Sequence, residues 1–192
     1  MPEPLGLESK IVRVVQYDAR WPALFRAEAD RLANAVSAAG LPALVFEHVG
    51  STAVPGLAAK PILDLAAGRR RESAAEIYVP VLEAAGYVYR GNSGLPGREF
   101  FRRGAPRSHH LHLVECGGCH WQRYLGFRDA LRADAKLRDA YAALKTELAA
   151  RYPHDREAYI DGKSTFVDAV VRAQGEINEN LSVDDQDGER HE

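Results

Sequence analysis

The chain has 192 residues with 25 basic and 27 acidic side chains, a formal charge of -2, so no global field draws it to nucleic acid or to an anionic membrane. Its length fits one domain, or a domain with a helical appendage, whose core needs no covalent staples. The opening MPEPLGLESK lacks the charged and apolar regions of a secretory signal, and no apolar run is long enough to span a bilayer; a cytoplasmic protein with neither a membrane nor a nucleic-acid partner is expected.

Residues 11–16, IVRVVQ, read as a short edge strand. Asp18 then gives a helix-start signal with Pro22 in the first turn, and Trp21, Phe25, Leu32 and Val36 keep helical spacing as far as about Ala39. Gly40 and Pro42 end that helix. ALVFEH (43–48) makes an apolar strand running into Gly50-Ser51, PILDLAA (61–67) makes another, and STAVPGLAAK between them is a short helical turn or loop. A helix over 73–85 closes at Gly86, and strands follow at 87–91, 98–103 and 109–115. From Trp121 the pattern is helical, with Leu137, Tyr141, Leu144 and Leu148 at steps of four and three, until Pro153 breaks it. A second long helix starts after Asp155 and extends to about Ala173. The acidic tail, residues 176–192, is expected to be disordered. Residues 1–175 therefore form one α+β domain: a mixed, mostly antiparallel sheet flanked by helices, with long helices at the C-terminus.

Several residues carry candidate chemistry. Alternation along 61–67 puts Ile62, Asp64 and Ala66 on one face and Leu63, Leu65 and Ala67 on the other. A carboxylate among apolar neighbours needs a cation or donors, so Asp64 is a candidate metal ligand or general base; the alternative is a satisfied Asp at a strand end. Gly50 lets the backbone approach a ligand closely, and Ser51 and Thr52 offer phosphate donors at the start of a helical turn, or merely a cap. In HHLHLV (109–114), His110, His112 and Val114 share a face, as metal ligands, an acid/base pair, phosphate donors or plain surface histidines. Arg98, Phe100 and Arg102 face one way on their strand, and one arginine of the set reaches a cleft. Lys163 lies in the apolar stripe of Tyr159, Phe166 and Val170, where it either snorkels or meets an anion. ECGGCH (115–120) matches the C-x-x-C-H of haem attachment and half of a zinc site with the nearby His109, His110, His112 and His120. A glycine-rich turn with reduced Cys116 and Cys119 explains the same residues.

With these residues in place, the chain resembles the GrpB family of bacterial proteins over residues 11–174, on YDARWP, EHVGSTAVPGLAAKPILDLAAG, LEAAGYVYRG, PGREFFRRG, HHLHLV, FRDALR, YAALK and AYIDGKSTF. The resemblance implies the nucleotidyltransferase superfamily, whose fold is similar to that of DNA polymerase beta. It implies that Gly50, Ser51 and Thr52, with Lys60, Arg98 and Lys163, hold the phosphates of a nucleotide or phosphorylated metabolite. Asp64 would then bind a divalent metal, foremost magnesium, with His110 and His112 as further ligands and His112 as a catalytic assistant. The family's second acid would fall at Ala66, where it is missing, and Glu47 is the substitute if its strand aims it inward. Three functions follow: transfer of a nucleotidyl group to a small acceptor; a binding module that has lost transfer, with a coenzyme A-related ligand suggested by relatives fused to dephospho-coenzyme A kinase; or a transition-metal site of Asp64, His110 and His112.

Overall fold

The computed structural model describes residues 4–187, with side chains described through residue 175; of the acidic tail expected to be disordered, residues 176–187 are described as the end of the last helix and residues 188–192 lie outside the described residues. Five strands form one sheet in the order β1-β2-β5-β4-β3: β1 (Val45–Val49), β2 (Leu63–Arg69), β3 (Val88–Tyr89), β4 (Arg98–Arg103) and β5 (His109–Glu115). Only β2 and β5 pair in parallel. The α+β fold class expected from the element pattern is the one present.

One sheet face is covered by α1 (Trp21–Ala38) and α2 (Val79–Ala84). Leu63, Leu65 and Ala67 from β2 and Leu111 and Leu113 from β5 meet Trp21, Leu32, Val36, Tyr78 and Leu82 there, all buried. This layer removes the greatest share of apolar surface from water, at roughly 25 cal/mol per Å². The other face is covered over part of its area by α3 (Cys119–Ala133), whose Trp121 packs on Val49, Ala66 and Val114. Gly68 makes that approach possible, since a Cβ there would lie 2.7 Å from the Trp121 ring. Helices α4 (Ala135–Arg151) and α5 (Arg156–Asp187) then fold across the remaining edge. Leu131, Tyr141, Phe166 and Val167 pack there with Val54 and Leu57 of the β1–β2 connection.

Local chemistry accounts for most element ends. Asp134 accepts from the N–H groups of Lys136 and Leu137 at 2.8 and 3.1 Å, starting α4. That cap divides the helical pattern expected to run on from Trp121. Asp155 accepts from Ala158 N–H at 3.0 Å and starts α5. Three expectations change. Residues 11–16 form no strand: Val15 makes an isolated bridge to Ala59, while the Val12 N–H donates to the Pro153 carbonyl at 2.8 Å, so the segment's backbone bonds are split between two partners. The helix expected over 73–85 becomes a 3-10 turn, Ala75–Tyr78, followed by α2, with Pro80 in the first turn of α2, where its missing N–H costs least. The strand expected over 87–91 shrinks to Val88–Tyr89.

Candidate functional site

The register brings the candidate residues together. Asp64 pairs with Val49 on one side and His110 on the other, and His110 pairs with Arg102. One row farther along, Glu47, Ala66, His112 and Phe100 are aligned. Paired residues in neighbouring strands share a face. The α3 side of the sheet therefore carries Asp64, His110, His112, Arg98, Phe100 and Arg102, as alternation predicted. Between this face and the C-terminal helices lies a cavity of about 520 Å³ lined by Gly50, Ser51, Thr52, Asp64, His110 and His112, with cations around them.

Gly50 has φ 69°, a conformation that favours glycine. A Cβ there would lie 2.7 Å from Asp64 Oδ2, so the glycine also lets the turn close over the carboxylate. Asp64 Oδ1 accepts from His110 Nδ1 at 2.8 Å, and His112 Nε2 stands 3.7 Å away. Burial by itself raises the Asp64 pKa, but the two imidazoles hold it well below the usual carboxylate range. Burial pushes His110 down to about 4, so at neutral pH an ionised Asp64 faces a neutral imidazole whose Nδ1 donates. Its Nε2 is buried without a hydrogen-bond partner. His112 stacks on Phe100 at 5.1 Å and lies 3.4 Å from the Tyr124 hydroxyl.

Cations dominate the walls. Lys60, Arg98, Arg102, Lys145, Arg156 and Lys163 all line the cavity, against the single carboxylate of Asp64. Lys60 Nζ sits 4.7 Å and Lys163 Nζ 5.7 Å from the Tyr159 ring centroid. Lys145 Nζ donates to Ala58 O at 2.6 Å and lies over Tyr141. Burial, then the charge of Lys163, pushes Lys60 down to about 7, and burial pushes Lys145 down to about 6. Arg98 donates from Nη2 to the Asn92 and Ser93 carbonyls at 2.8 and 3.3 Å.

Two candidates are engaged elsewhere. Glu47 shares the face of Ala66, but its Oε2 accepts from Arg128 Nη1 at 2.6 Å and it is not on the cavity wall. The Thr52 hydroxyl lies 3.0 Å from His48 Nε2. His48 stacks on Phe25 of α1, on the opposite side of the sheet. Lys145, Arg156, Tyr124 and Tyr141 line the cavity without having been singled out for it. The stripe argument that found Lys163 applies equally to Lys145, four residues after Tyr141. Cys116 and Cys119 are exposed free thiols at the junction of β5 and α3.

The donor set does not fit a pair of catalytic metal ions. Magnesium favours several oxygen ligands, whereas Asp64 is the one carboxylate on the wall and Ala66 is fully buried at the second position. The expected transition-metal triad fares no better. His110 Nδ1 is bound to Asp64, and among the described residues no group of three or more His, Cys, Asp or Glu side chains is placed to hold an ion.

The fold and this cavity can be set beside known proteins. A family model described as GrpB protein matches residues 11–173, and the chain belongs to the GrpB family. It is 41% identical over 168 residues to the UPF0157 protein PA4798 of Pseudomonas aeruginosa, covering 83% of this chain and 66% of that one. With the UPF0157 protein YqkA of Bacillus subtilis it shares 36% identity over 157 residues, 81% of this chain and 45% of the relative, so it spans about half of that protein. A Mycolicibacterium paratuberculosis protein named dephospho-CoA kinase is 32% identical over 190 residues, covering 84% of this chain and 46% of that one. Among solved structures, GrpB from Enterococcus faecalis superposes with TM-score 0.76 at 31% identity, covering 84% of this chain and 96% of that one. The Cid1 poly(U) polymerase, described with MgGTP bound, superposes with TM-score 0.52 at 17% identity over 72% of this chain and 45% of that one. This last likeness shows a nucleotidyltransferase-like fold. No helix among the described residues is long and apolar enough to cross a membrane.

Proposed function

We propose that this protein binds a nucleotide or a comparably phosphorylated metabolite in the cavity, with phosphate charge neutralised by lysine and arginine rather than by a protein-held metal pair. One observation carries the reading. Six lysine and arginine side chains, cationic once an anion is bound, line a cavity that holds one carboxylate, and none of the six is in an ion pair among the described residues. Buried like charges repel and are retained when an anion meets them. Phosphates would lie against the Gly50-Ser51 turn, within reach of Lys60, Lys145 and Lys163. The relative named dephospho-CoA kinase puts coenzyme A and its precursors among the ligands to test first.

The sign of the Asp64 effect separates this reading from a metal-dependent one. Without a metal, Asp64 repels the phosphates, so Asp64→Asn should bind ATP more tightly, by about threefold to tenfold. With a metal, the same change should abolish binding. Calorimetric titration of both proteins with ATP, coenzyme A and dephospho-coenzyme A, each with magnesium or with chelator, gives the answer. Tighter binding in the variant, insensitive to chelator, supports the proposal; wild-type binding that needs magnesium, is lost with chelator and is abolished in Asp64→Asn would overturn it. Nucleotidyl transfer is a second reading, favoured by the Asp64–His110 pair, which leaves His110 Nε2 an unprotonated acceptor. Release of pyrophosphate from ATP, absent in His110→Gln, is its test.

A further inference from the structure

The cavity has a second end. Val49, Asp64, His110 and Arg102 form one row across β1, β2, β5 and β4. At about 4.8 Å between neighbouring strands, Arg102 lies roughly 14 Å across the sheet from the end of β1 that feeds the Gly50-Ser51 turn. Arg156 joins it from the first turn of α5, and Arg107 from the β4–β5 connection. Arg102 and Arg156 line the cavity; Arg107, 9% exposed, is not on its wall but lies near enough for its charge to act on Arg102 and for that of Arg156 to act on it.

All three guanidinium groups have donors with nothing to donate to. The Nε atoms of Arg102, Arg107 and Arg156 are buried without a hydrogen-bond partner, and so is Arg107 Nη2. None of the three is in an ion pair among the described residues. Burial, then the charges of Arg156 and Arg107, pushes Arg102 down to about 10, and Arg156 acts on Arg107 in the same direction. A solitary buried arginine can hide its stem in the core, but these three repel one another with no ion-pair partner, and the Phe100 ring 5.2 Å from the Arg102 head and the more distant charge of Asp64 on Arg107 satisfy none of the orphan donors. Guanidinium forks match the oxygens of a phosphate, which would pair the orphan donors and cancel the repulsion together.

We infer that Arg102, Arg107 and Arg156 form a second phosphate subsite, so that the cavity takes phosphate groups at two separated positions. The inference rests on the proposal that the Gly50-Ser51 end holds phosphate. The two groups belong either to one bisphosphorylated small molecule or to a phosphorylated donor and a phosphorylated acceptor bound side by side.

Titration calorimetry with AMP, adenosine 3′,5′-bisphosphate and inorganic phosphate, on wild type, Arg102→Met and Arg156→Met, decides the matter. The bisphosphate should bind wild type at least about tenfold more tightly than AMP, and the advantage should fall to about twofold in either variant while AMP itself changes little. If instead AMP-saturated wild type takes up inorganic phosphate and the variants do not, the second phosphate comes on a separate molecule. An advantage that persists in both variants, or no second phosphate bound in either form, overturns the inference. Should no nucleotide bind at all, the nucleotide reading fails, and inorganic phosphate decides the subsite: thermal protection lost in the variants keeps it, and equal protection in all three proteins removes it. Unliganded Arg107→Met should unfold at a higher temperature than wild type, since it removes an unpaired buried charge. A lower unfolding temperature would assign Arg107 a structural role and overturn its place in the subsite.

Discussion

Lys60 and Lys145 are the residues whose ionisation couples ligand to fold. Their ordinary value is 10.5, and in the folded protein burial brings Lys60 to about 7 and Lys145 to about 6. Between those values and 10.5 the unfolded chain binds more protons than the folded one, so stability rises with pH across that window; below about 6 the full penalty is present. A bound phosphate favours the charged amines and reverses the shift. Phosphate binding should therefore take up protons near neutral pH and weaken as pH rises above about 7. Calorimetry in two buffers of different ionisation enthalpy reads the uptake directly, and a pH-independent affinity with no uptake would contradict it. Lys163→Met should weaken ATP binding by about tenfold while leaving the unfolding temperature close to that of wild type. A large loss of stability with unchanged affinity would instead show a stem that merely covers the core. Lys163 was legible as a lysine inside an apolar stripe. Arg156 was not, because a charged residue in the first turn of a helix has no pattern to violate.

The turn after β1 and the crossing of α4 and α5 are the elements that set the site. In Gly50→Ala the new Cβ meets Asp64 Oδ2 at 2.7 Å with φ at 69°, so the turn must open or the carboxylate must leave His110. A stability loss of about 1–3 kcal/mol and weaker ATP binding are expected together; a variant with wild-type stability and affinity would show that the turn does not press on Asp64. On α5, a Cβ at Gly162 would lie 2.5 Å from Leu148 Cδ2 of α4. Gly162→Ala should push α5 outward, costing about 1–3 kcal/mol by chemical denaturation and loosening Lys163 against the ligand. Unaltered stability would mean that Leu148 yields without moving the helix. The strands were readable because one buried face imposes a period of two; β3, with two residues, is too short to impose it. The α3–α4 break was present in the sequence as Asp134, but a capping residue within a continuing helical pattern also reads as a tolerated interior residue.

At the scale of the whole molecule, the cavity is the gap left where α3 covers only part of a sheet face and α4 and α5 close the rest. Unliganded protein carries the repulsion of that gap in its stability. A ligand at a hundred times its neutral-pH dissociation constant should add about 2.7 kcal/mol at neutral pH, and the same concentration should add less at alkaline pH, where binding is weaker. An unfolding temperature insensitive to every phosphorylated compound tested would leave the charge cluster without its proposed purpose. The sequence by itself determined the α+β class, the order of the elements, the side of each strand on which Asp64, His110, His112 and Arg102 lie, and the family. Each follows from local periodicity, from caps or from motifs contiguous in the chain. Only the tertiary structure decided that Glu47 pairs with Arg128, that His110 bonds to Asp64, and that Lys145, Arg107 and Arg156 join the cluster. Those facts depend on which strands are neighbours and on how long helices cross the sheet, and contacts between residues far apart in the chain leave no mark on the spacing of either partner.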